Sequence, residues 1–105
     1  MSAQSVDTVE FSKALADETR QEIMRLCCCQ ALSVGEIVSA TQVSQPTVSH
    51  HLAILKAAGL VNVRREGKQI FYTINQSRLA AGCCTLAENF APDQEISIIP
   101  PKVGG

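Results

Sequence analysis

Apolar residues along this chain recur first at helical spacing, then alternate, then return to helical spacing. Val48, Leu52 and Leu55 stand at i, i+4 and i+7, the stripe of a helix over 44–58 that must pack on something. Around its N-terminal end Ser44, Gln45, Thr47, Ser49 and His50 carry short, mostly uncharged donors and acceptors. Ser44 is its expected N-cap, Pro46 fits the first turn, and Gly59 stops it. The pattern predicts a first helix from Val6 to about Ala16, with Val6, Val9, Phe11 and Leu15 as its apolar positions. Asp17 caps a second helix, which turns Ile23, Leu26 and Cys27 to one side and carries Cys28 and Cys29 round its end. Gln30–Leu32 reads as a connection. Ser33-Val34-Gly35-Glu36 is a capping box that opens a third helix over 34–41, with Val34, Ile37 and Val38 inward.

Beyond Gly59 the period changes. Leu60–Val63 and Gln69–Ile74 alternate or are β-branched, and Arg65-Glu66-Gly67-Lys68 between them supplies a turn with a glycine available for positive φ. A fifth helix, capped by Asn75 or Ser77, runs from Arg78 to about Asn89. Leu79, Cys83, Leu86 and Phe90 form its apolar stripe, with Ala80, Cys84 and Ala87 about 100° further round. Pro92 ends it, leaving a tail at 93–105 that carries one apolar knot, Ile96-Ser97-Ile98-Ile99. These elements predict a mainly α fold with a two-stranded β wing: one domain over 1–105, with loose termini at 1–5 and about 93–105. Two short helices across a tight turn, the second richer in small polar groups, form a helix-turn-helix.

Composition changes this picture little. With 105 residues, no Trp and few aromatics, the core must be mainly aliphatic. The net charge of −1 conceals an uneven distribution. Acids outnumber bases before residue 30, whereas 44–70 carries Lys56, Arg64, Arg65 and Lys68 against Glu66 alone. That basic stretch suits an anionic partner, although a solvated face has the same composition. No apolar run approaches the length that spans a membrane. Nothing at the N-terminus has the basic start and apolar run of an export signal. We therefore expect a cytoplasmic protein whose five cysteines are reduced thiols.

A helix fits the major groove of B-DNA, where amide, hydroxyl and imidazole groups reach base edges and phosphates. Gln45 suits adenine and Ser49 suits either base. Thr47 belongs to the same set, His50 and Lys56 suit phosphate equally, and Arg64, Arg65 and Lys68 of the hairpin fall on the DNA backbone or in the adjacent minor groove. DNA binding itself requires no cofactor.

Leu32-Ser33-Val34-Gly35-Glu36-Ile37, the run from Val43 to Leu52, Leu55-Lys56-Ala57-Ala58-Gly59-Leu60-Val61, Arg64–Lys68 and Tyr72 together resemble the ArsR/SmtB family of winged helix-turn-helix repressors. The resemblance spans about residues 8–80. It implies a homodimer formed by the first and last helices, which binds double-stranded operator DNA and is released when a sensor site fills. It also implies that Ser44, Gln45, Thr47, Ser49 and His50 enter the major groove.

The sensor departs from that pattern. Where many arsenic and cadmium sensors of the family carry Cys-Val-Cys, this chain has Ser33-Val34-Gly35. The last helix has no His and only Glu88 as a carboxylate, unlike the zinc and nickel members. Cys27, Cys28, Cys29, Cys83 and Cys84 remain, and thiolates without His favour a thiophilic metal or trivalent arsenic. Cys83 and Cys84, on the helix implied to form the dimer, are the first candidates. Cys27 and Cys83 lie on apolar stripes, where a free cysteine is also an ordinary core residue. A redox or persulfide sensor built on the same thiols is the alternative. An enzyme reading finds no Cys-x-x-Cys, no phosphate loop and no activated nucleophile, leaving only a remote thiol oxidoreductase at Cys83-Cys84.

Overall fold

The computed structural model describes residues 7–94. The expectations for residues 1–5, the helix start at Val6 and the Ile96–Ile99 knot lie outside the described residues. Five helices and a small sheet follow in the order α1 (Thr8–Leu15), α2 (Glu18–Cys27), β1 (Leu32–Ser33), α3 (Val34–Thr41), α4 (Gln45–Ala57), β2 (Val61–Glu66), β3 (Gln69–Ile74) and α5 (Gln76–Phe90).

Most helix ends are explained by their caps. Asp7 accepts from Val9 N (3.0 Å) and Glu10 N (3.1 Å), so α1 starts at Thr8, later than expected. Asp17 accepts from Arg20 N (2.9 Å). The expected capping box is formed: Glu36 N donates to Ser33 Oγ (3.2 Å) and Ser33 N to Glu36 Oε1 (2.9 Å). Asn75, rather than Ser77, caps α5. Ser44 stands at the N-cap of α4 but does not accept from its backbone; its hydroxyl donates to Thr47 Oγ1 (3.0 Å) instead.

Gln42 closes α3 in the left-handed region (φ 62) and donates its N–H to Val38 O, giving the tight turn into α4. The far end of α4 is a Schellman motif. Leu60 N bonds to Leu55 O and Gly59 N to Lys56 O, both at 2.9 Å, with Gly59 at φ 76. Leu55 and Leu60, which that motif brings together, are fully buried.

The wing is larger than predicted. Its sheet has three antiparallel strands in the order β1-β3-β2, because Leu32 and Ser33 pair with Tyr72 and Phe71. The segment expected as a connection thus covers the free edge of β3 while presenting Ser33 as a cap. The β2–β3 turn is also tighter: Glu66 pairs with Gln69, leaving Gly67 (φ 61) and Lys68 as a two-residue loop.

Val48, Leu52 and Leu55 of α4 are buried with Phe11, Ile23, Cys27, Ile37, Leu60 and Ile74 in one mainly aliphatic core. On α2, Met24 rather than Leu26 joins Ile23 and Cys27 in it. On α1 the buried residues are Phe11 and Ala14, whereas Val9 is 62% exposed.

The predicted stripe of α5 is its packing face only at Leu79 and Leu86, which lie against the core. Cys83 and Phe90 are exposed, Leu79 and Leu86 are half-buried, and the one buried residue is Gly82. A side chain at Gly82 would enter the edge of the Phe11 ring, so the missing Cβ is what lets α1 lie against α5. Gly82→Ala tests this contact. On an exposed helix the change should stabilise by about 1 kcal/mol, but overpacking typically costs about 1–3 kcal/mol. Net destabilisation is expected, read as a lower urea midpoint; an unchanged or higher midpoint would mean that Phe11 yields freely.

Candidate nucleic-acid interface

Helix α4 divides cleanly. Val48, Leu52 and Leu55 are buried, while Ser44, Gln45, Pro46, Thr47, Ser49, His50, Ala53, Lys56 and Ala57 are exposed. At about 100° per residue, Pro46, His50, Ala53 and Ala57 lie opposite the buried stripe, with Ser49 and Lys56 on one flank. Small exposed residues allow close backbone approach, and Pro46 or Ala53 can meet a thymine methyl, a contact absent from the sequence reading.

His51 belongs to neither face. Half-buried, it places Nδ1 at 3.0 Å from an Nη of Arg20, whose other groups donate to Ala14 O (2.8 Å) and Lys13 O (3.1 Å) at the end of α1. Asp17 lies at 4.0 Å from the same guanidinium, and its carboxyl sits below its ordinary value, chiefly because of the N–H of Arg20. Sequence reasoning missed Arg20; the hydrogen-bond partners of its guanidinium are 6 to 31 residues away, and no local pattern reveals them.

On the wing, Arg64, Arg65 and Lys68 are all exposed. Successive strand residues face opposite sides, so Arg64 and Arg65 do not share a surface. Arg64 lies over the Phe71 ring (5.7 Å to its centroid) and 3.4 Å from Glu66. Arg65 and Lys68 have no ion-pair partner among the described residues.

The five thiols fall into three environments. Cys27 is fully buried, and burial pushes its thiol up to about 11. Helix α2 ends there, which turns Cys28 and Cys29 outward with their sulfurs 2.9 Å apart. That hydrogen bond is the main reason the Cys28 thiol sits above its ordinary value. Gln76, the first residue of α5, donates to Cys28 O (3.0 Å). Beside Cys28 lies an open groove of about 600 Å³, lined by Leu15, Gln21, Met24, Ile74 and Leu79. On α5, Cys83 is exposed and Cys84 half-buried. Among the described residues no three His, Cys, Asp or Glu side chains come together as a metal site, so one chain does not join the two cysteine clusters.

The sequence model described as "bacterial regulatory protein, arsR family" matches residues 17–63. The transcriptional activator HlyU of Vibrio cholerae is 40% identical over 81 residues, which cover 77% of this chain and 75% of that protein. An arsenical resistance operon repressor of Staphylococcus aureus is 37% identical over 67 residues, covering 64% of each. Among solved structures, an ArsR-like transcriptional regulator from Rhodococcus sp. RHA1 superposes with a TM-score of 0.75 at 29% identity. That match covers 81% of this chain and 80% of the other.

Burial ranks the thiols for chemistry. Brief alkylation near neutral pH, followed by peptide mapping, should label Cys28, Cys29 and Cys83 while sparing Cys27 until urea unfolds the chain. Labelling Cys27 as fast as Cys28 in the folded protein would mean that the end of α2 opens readily.

Proposed function

The chain belongs to the ArsR family of bacterial regulatory proteins, which are DNA-binding transcriptional regulators rather than enzymes, and we propose that it is a homodimeric repressor whose cysteines receive the inducing signal. The observation that carries the DNA reading is the division of α4. Its apolar stripe is consumed by the core, and its remaining length presents small polar groups beside an exposed basic hairpin. In this reading Gln45, Ser49 and Thr47 meet base edges, with Ser44, His50 and Lys56 on phosphates. Arg65 and Lys68 hold the backbone beside the groove; Arg64, engaged with Phe71 and Glu66, contributes less.

Dimerisation through α1 and α5 has support in their apolar exposure. Val9 is 62% and Phe90 80% exposed. Two copies related by a twofold axis place their recognition helices in successive major grooves, about 34 Å apart, on a roughly palindromic operator. No helix among the described residues is long and apolar enough to cross a membrane, which fits action on DNA in the cytoplasm.

For the signal, the Cys28–Cys29 pair takes precedence over Cys83–Cys84, because it is where one chain already holds two exposed sulfurs together. A trivalent arsenic or a soft divalent ion would be held by both thiols. With arsenite, two As–S bonds replace two As–OH bonds and two waters leave. A soft divalent ion instead releases the two thiol protons, so its affinity should rise with pH, whereas the arsenite step releases none. Cys83 and Cys84 stand where a second subunit could add further sulfurs. Coupling of about 1–3 kcal/mol would change operator occupancy several-fold or more.

Two measurements test the two halves. Arg65→Ala should weaken DNA binding and lower the slope of log K against log salt by roughly one phosphate's worth; an unchanged slope would remove the wing from the interface. Gel shifts with arsenite, cadmium, lead, zinc and peroxide should show release by a thiophilic ion, lost in Cys28→Ser/Cys29→Ser and weakened in Cys83→Ser/Cys84→Ser. Release by peroxide alone would favour a redox sensor. Release by zinc in every variant would remove the thiols from the mechanism.

A further inference from the structure

The contact between Arg20 and His51 carries a conclusion about how the recognition helix is held. An arginine only donates hydrogen bonds, so at 3.0 Å His51 Nδ1 must accept. That fixes His51 as the neutral tautomer with its proton on Nε2. The side chain of Arg20 is only 12% exposed, and its other donors close on Ala14 O and Lys13 O. One guanidinium thus bonds two carbonyls at the end of α1, Ala14 O and Lys13 O, and grips the middle of α4. We propose that Arg20 is the positioning residue of the DNA-reading helix, holding it through an uncharged His51 and letting it go when His51 takes up a proton.

The sign follows from the donor count. Protonated His51 has no acceptor left, and Arg20 cannot become one, so the contact turns into two donors and two positive charges at hydrogen-bond distance. The charged and titratable groups around the pair are Asp7, Glu10 and Lys13 on α1, Asp17 on α2 and His50 on α4. Asp17 is the anion nearest the guanidinium, and at 4.0 Å it does not take over the lost bond. His50, exposed on the other side of α4, works in the opposite direction, since a proton there attracts phosphate. The two histidines therefore give acid responses of opposite sign.

This inference rests on the DNA-binding reading, so one of its tests uses no DNA. In hydrogen exchange, corrected for intrinsic rates, the amides of Val48–Lys56 should lose protection relative to β2 and β3 between about pH 8 and about pH 5.5, the range over which histidine titrates. Equal protection at both ends would overturn the proposal whatever the protein binds. In the second test, fluorescence anisotropy follows a DNA duplex selected from a randomised pool by the wild-type protein. Wild-type affinity should fall about tenfold on acidification. His51→Asn, whose amide oxygen can replace Nδ1, should keep the affinity seen at the upper pH and lose the fall. At that pH, Arg20→Lys and His51→Phe should each bind about tenfold more weakly, and the double variant no more weakly than the worse single one. Affinity that rises on acidification equally in wild type and His51→Asn, or losses that multiply in the double variant, would overturn it.

Discussion

The double duty of α4 is the constraint on which this structure depends. Thirteen residues must bury an aliphatic stripe and also present a polar surface, and on one helix the two demands compete for angle. The stripe of Val48, Leu52 and Leu55 is narrow, so the orientation of α4 depends on what meets its ends and flanks. The turn through Gln42 and the capped α3 fix one end, and the Schellman motif at Gly59 fixes the other. The side chain of Arg78 lies across Gly59, with Nε at 3.1 Å from where a Cβ would stand. The start of α5 thus rests on the end of α4.

Elements whose causes are local could be read from the sequence. The capping box at Ser33 and Glu36, the caps at Asp17 and Asn75, the period of α4 and the stop at Gly59 each depend on residues within a turn or two. What could not be read depends on partners far along the chain. β1 exists because Tyr72 and Phe71 lie beside Leu32 and Ser33, a pairing that two residues cannot announce. The packing face of α5 was only half read, at Leu79 and Leu86, for a related reason. Apolarity marks Leu79, Cys83, Leu86 and Phe90 as a stripe, but the Phe11 ring needs a place without a side chain. The polar and basic residues expected to face DNA are exposed; for the cysteines, number and spacing were legible but not environment.

The three adjacent cysteines show how strongly a helix end divides similar groups. One residue before the end, Cys27 is a core atom in all but name, with burial holding its proton. One residue after it, Cys28 faces solvent and its closest polar neighbour is the sulfur of Cys29. Its backbone carbonyl is meanwhile held by Gln76 at the first turn of α5. The segment that carries the thiol pair and the start of α5 are therefore tied by a single side-chain amide.

Gly82 is the one fully buried position of α5 and Leu79 and Leu86 pack half-buried against the core, whereas Cys83, Glu88, Asn89 and Phe90 face outward. Substitutions at those outward positions change what the helix presents without reopening the interior. A lineage can therefore alter the outer face of this helix while leaving the packing around α4 intact, provided Gly82 stays.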